Sequence, residues 1–83
     1  MKYELTQHAK DVLAERAIPT EWLERVLDTP QRTEPDKDDP QLIHHLAAIP
    51  EHGDRVLRVV FNHLVAPVRI VTVYFDRQMK GKL

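Results

Sequence analysis

Arg55-Val56-Leu57-Arg58-Val59-Val60-Phe61 and Val68-Arg69-Ile70-Val71-Thr72-Val73-Tyr74-Phe75 decide the fold. Both runs are rich in β-branched and aromatic residues, so both read as strands. Side chains alternate across a strand, which puts Leu57, Val59 and Phe61 on one face and pairs them with Val71, Val73 and Phe75. Those six are expected beneath the helices. Val56, Arg58, Val60 and Val68, Ile70, Thr72, Tyr74 then share the opposite face. That face mixes apolar bodies with a guanidinium, a hydroxyl and a phenol. A third strand, residues 42–49, precedes them, joined through Pro50, Gly53 and Asp54, good material for a hairpin loop. Both faces of that strand are largely apolar, so alternation leaves open whether His44 or His45 points inward. The link from Asn62 to Pro67 places Leu64 and Val65 near a loop tip, packed locally or facing a partner.

Towards the N-terminus the period changes. Trp22, Leu23, Val26 and Leu27 occupy one arc at 100° per residue, which predicts an amphipathic helix over residues 20–28. A first helix is expected from Gln7 to about Ala17, with Thr6 as N-cap. Ile18-Pro19-Thr20 separates the two helices, because proline disfavours a helical residue before it. Tyr3 and Leu5 suggest a short leading strand. Residues 30–41 hold three prolines and no large apolar side chain, so they read as a mobile, proline-rich loop. The expected fold is a single α+β domain over residues 1–83. Two N-terminal helices pack on one face of a three- to four-stranded antiparallel sheet.

With 83 residues, 42% of them apolar, the chain can build one thin core and no second domain. It has no cysteine, which excludes disulfides, zinc–thiolate sites and thiol nucleophiles. No apolar run approaches membrane-spanning length, and the first residues lack a leader's apolar segment. A soluble, cytoplasmic domain with no membrane contact is expected. Charge is unevenly spread. Residues 1–54 carry six Lys and Arg against twelve Asp and Glu, whereas residues 55–83 carry six against Asp76 alone. A basic C-terminal third can face phosphate, or it can neutralise the acidic part within the fold.

Few residues carry chemistry. Arg16 falls in the middle of the apolar arc of the first helix, where it must snorkel, pair, cap the helix or point at an anion. It is expected to be substantially buried and bonded. His8 lies at the edge of the same arc, near the helix start, where a neutral imidazole can serve as base. Eight residues separate the two, roughly 12 Å along the axis, so they can line one groove without touching. His44 and His45 point to opposite strand faces, and His52 and His63 lie in loops, so no metal or other cofactor is expected. Arg77 and Lys80 follow Thr72 and Tyr74 closely and add charge where a phosphate can dock.

Leu5-Thr6-Gln7-His8-Ala9, then Glu15-Arg16-Ala17-Ile18, then Arg55-Val56-Leu57-Arg58-Val59-Val60 and Ile70-Val71-Thr72-Val73-Tyr74 carry a family likeness. The sequence resembles a small bacterial family, domain of unknown function 4258. That family is similar in turn to the RelE-like group with a barnase–colicin–RelE fold. The likeness covers nearly the whole chain except residues 30–41. Two departures stand out: Ala17 where a glycine commonly follows the arginine, and Pro19-Thr20 in place of a simpler serine-type cap. By position, the resemblance implies His8, Arg16, Arg58, Thr72 and Tyr74 as the characteristic polar set. It implies a metal-independent ribonuclease or toxin acting on RNA. In that scheme His8, Arg58 and Tyr74 are catalytic, and Arg16, Thr72, Arg77 and Lys80 hold substrate. The other expectation is a non-catalytic protein-interaction module that docks an antitoxin-like protein. If the first helix covers the face opposite Arg58, His8 reaches a shared site only around the sheet edge.

Overall fold

Thr6 joins the first strand to the first helix with two bonds. Its Oγ1 accepts from the Ala9 amide at 3.1 Å, an N-cap, and donates to the Val71 carbonyl at 3.2 Å. A computed structural model describes residues 1–83. In chain order it contains β1 (Tyr3–Leu5), α1 (Gln7–Glu15), α2 (Thr20–Asp28), β2 (Arg32–Pro35), β3 (Leu42–Ile49), β4 (Arg55–Asn62) and β5 (Val68–Phe75). Short 3-10 turns follow at Pro50–His52 and Arg77–Met79. No helix is long and apolar enough to cross a membrane.

The sheet is five-stranded and mixed, in the order β1-β5-β4-β3-β2. This corrects the expected three- to four-stranded antiparallel sheet at both edges. β1 runs parallel to β5, with Tyr3 opposite Val68 and Leu5 opposite Ile70. From there the chain crosses the sheet through both helices before returning as β2, antiparallel to β3. β2 lies inside the stretch read as a loop. Its Arg-Thr-Glu-Pro sequence shows no apolar alternation because an edge strand needs only backbone pairing on one side. Pro35 is tolerated at such an edge, where its missing N–H breaks no central ladder.

Both helices cover the expected face. Ala9, Ile18, Leu23, Val26 and Leu27 pack with Ala47, Ile49, Leu57, Val59, Phe61, Ile70 and Val73 into one core. Burying a Leu or Val fully is worth about 2 kcal/mol, so Leu23, Val26 and Leu27 hold α2 to the sheet. One expectation needs correction. The β4–β5 register shifts between Val60 and Phe61, so that Thr72 opposes Val60 while Ile70 opposes Phe61. Val71 is the extra residue of this bulge. Ile70, not Val71, therefore faces the core. The opposite face is less open than alternation suggested: Leu46, Val56 and Val60 are buried there beside Arg58.

α1 ends two residues before its expected limit. Ala17 turns left-handed at φ 52°. Its amide bonds the Ala14 carbonyl and the Ile18 amide bonds the Leu13 carbonyl. That is a Schellman closure, which satisfies carbonyls the helix end would leave bare and sends Ile18 into the core.

Candidate functional site

β1 pairs with β5 only as far as Ile70, and α1 runs beside the remainder of that strand. His8, in the first turn of α1, therefore reaches Thr72 around the sheet edge: its Nε2 lies 3.2 Å from Thr72 Oγ1. Between α1, β5 and the Arg77–Met79 turn lies an open groove of about 820 Å³. His8, Arg16, Thr72, Tyr74, Arg77 and Lys80 all line it, six of the seven site residues expected from the sequence. Arg16 is exposed, not buried as expected. The Schellman turn lifts it off the core, and its backbone rather than its guanidinium caps α1.

Arg55, at the start of β4, also lines the groove, and no local spacing singles it out. Its Nη1 lies 3.5 Å from Nε2 of His52. The His52 ring packs near Trp22 and Phe75, with centroids 5.3 and 4.9 Å away. Glu15 and Asp76 are the groove's carboxylates. None of the six ion pairs in the molecule involves Arg16, Arg55, Arg77 or Lys80. Asp76 is already committed elsewhere. The result is a groove with excess positive charge around an imidazole and a hydroxyl, which attracts an anion.

Arg58 stands apart from the groove. Its side chain is 11% exposed, and carboxylates from two other strand ends enclose it. Nε and Nη2 donate to Asp76 Oδ2 at 3.0 and 2.8 Å, and Nη1 donates to Glu34 Oε1 at 3.1 Å. Nη1 also donates to His44 Nδ1 at 2.8 Å. An arginine only donates, so Nδ1 accepts and the ring proton sits on Nε2. That Nε2 faces Asp36 Oδ1 at 2.7 Å. The His44 bond, with the Asp39 and Asp38 amides, holds the Asp36 carboxyl below the usual carboxylate range. Burial lowers the Arg58 pKa, but the Asp76 and Glu34 bonds outweigh it and raise the group above its ordinary value. With its donors engaged in this way, Arg58 is joined to the groove through Asp76, which lines it. Asp76 Oδ1 accepts from the Gln78 amide and caps the turn that bears Arg77.

The remaining histidines are engaged singly. His45, the inward one, donates from Nδ1 to the Leu27 carbonyl at 3.0 Å and meets Phe61 edge to face. His63 Nε2 bonds the Pro40 carbonyl. No group of three or more His, Asp or Glu is arranged to hold a metal ion. Tyr74, 43% exposed, forms a wall shared by the groove and a second depression beside Arg58 and His44. A family model described as domain of unknown function (DUF4258) matches residues 5–75. No curated protein and no solved structure matches the sequence.

Proposed function

The chain belongs to the DUF4258 family, and from that premise we propose that it is a RelE-like, metal-independent ribonuclease that holds RNA in the α1–β5 groove. One observation carries the reading: four cations without carboxylate partners share that groove with His8 and Thr72. Arg16, Arg55, Arg77 and Lys80 grip the phosphate. Thr72 orients the His8 ring, whose free electron pair takes the proton of the ribose 2′-hydroxyl. The 2′-oxygen attacks phosphorus, and the arginines stabilise the charge of the pentavalent state. The bond to the 5′-oxygen breaks, and that oxygen takes a proton from Tyr74 or Lys80. The products are a 2′,3′-cyclic phosphate and a 5′-hydroxyl. Arg58 positions rather than reacts.

The test is cleavage of a labelled oligoribonucleotide in EDTA by wild type, His8→Ala and Arg77→Ala. Losing a general base should slow cleavage by about 10²- to 10⁴-fold. Binding should weaken with salt, less steeply once Arg77 is gone. Wild type that binds RNA without cutting it leaves a binding module. No binding at all removes the reading and favours a protein partner of the antitoxin type.

A further inference from the structure

We infer that the substrate strand is single-stranded, with one nucleobase stacked on Tyr74 while its phosphate lies in the groove. This rests on the groove's being the RNA site. Tyr74 is one of four large apolar side chains left exposed, with Met1, Leu64 and Leu83. Met1, Leu64 and Leu83 lie outside the helices and strands. Tyr74 alone lies in regular structure, on a strand whose backbone is fixed. Charge divides at this ring. On its groove side are Arg16, Arg77 and Lys80. Beyond it, the second depression is lined by three carboxylates, Glu34, Asp36 and Asp38, against Lys37 and Arg58. Arg58 spends its donors on Asp76, Glu34 and His44, so this side has no surplus of cations to hold phosphate. A nucleotide has one anionic end and one flat neutral end, and the two sides of Tyr74 separate those two chemistries. Duplex RNA keeps its bases stacked on each other and cannot offer a π-face to the ring. Aromatic stacking of this kind tolerates any base, so it selects strandedness rather than sequence.

The experiment measures binding by fluorescence anisotropy to three 2′-O-methyl probes, which lack the attacking hydroxyl: a single strand, its duplex, and an abasic strand of equal length. Wild type should prefer the single strand, with duplex and abasic probes weaker. Tyr74→Ala should lose about tenfold in affinity for the single strand, the worth of one stacked base, and nothing for the abasic strand. Tyr74→Phe, which keeps the ring, should bind as wild type. An equal loss on both strands would overturn the inference, because Tyr74 would then serve phosphate or fold. No loss on either would overturn it too and leave the phenol to a protein partner. If wild type binds none of the probes, the groove reading fails first and this one falls with it.

Discussion

Ala17 shows how a single backbone angle shapes the groove. At φ 52° it sits where an L-residue places Cβ against its own carbonyl, and a glycine carries no such cost. The Schellman closure demands that angle, and the closure is what frees Arg16 from the core. Ala17→Gly should therefore stabilise the fold by about 0.5–1 kcal/mol, after glycine's larger entropy loss is subtracted. For a domain of this size the thermal midpoint should rise by about 3–8 °C. A midpoint that stays or falls would show that the turn bears no strain. The same scale shows what the sequence hid. By angle Arg16 falls in the apolar arc, yet it is exposed, because an angular wheel assumes that the helix continues. Alternation alone puts Arg58 on the face away from the helices. Its partners Asp76 and Glu34 lie 18 and 24 residues away, and no local spacing reports a pairing at that range.

At the scale of elements, legibility followed apolar content. α2 and the strands β3, β4 and β5 appear almost as alternation and the helical arc dictate, since burial rewards each of their side chains. β2 is not legible in the sequence because ion pairs and backbone bonds hold it, and those leave no pattern in three polar residues and a proline. The bulge at Val71 is hidden for a related reason: Ile70 and Val71 are both apolar and β-branched, so either could face the core. β2 is therefore the element most dependent on Arg58. Arg58→Met leaves Asp76 and Glu34 half-buried without their cation and should cost about 3 kcal/mol. Hydrogen exchange at the β2 amides should accelerate beyond the change in the α2 amides. Uniform acceleration would mean that β2 melts only with the whole domain. The groove should loosen as well, since Asp76 would no longer be fixed as cap of the turn bearing Arg77.

Across the whole molecule, the charge asymmetry of the sequence becomes a separation in space. Asp36, Asp38 and Asp39 follow β2 at one sheet edge, while the unpaired cations line the α1–β5 groove towards the other. Acid should act on this arrangement mainly through carboxylates that the fold holds ionised. Arg25 grips Glu51 with two bonds, at 2.9 and 2.6 Å, tying α2 to the turn after β3. Those bonds lower the Glu51 pKa to about 2, and His44 lowers Asp36 in the same direction. A carboxylate depressed in the folded state contributes stability above its unfolded pKa, and that contribution is lost as pH falls through the folded value. Stability should therefore decline between about pH 4.5 and about pH 2, the span of the Glu51 shift. Urea denaturation across that window measures the slope. Glu51→Gln removes one titrating group from it and should flatten the curve. High salt should have a smaller effect of the same sign, because both partners are about half exposed and screened by ions. An unchanged slope in Glu51→Gln would mean that the Arg25 pair does not persist in solution, leaving α2 held by its buried leucines, Val26 and its bonds to Tyr3, Met1 and His45.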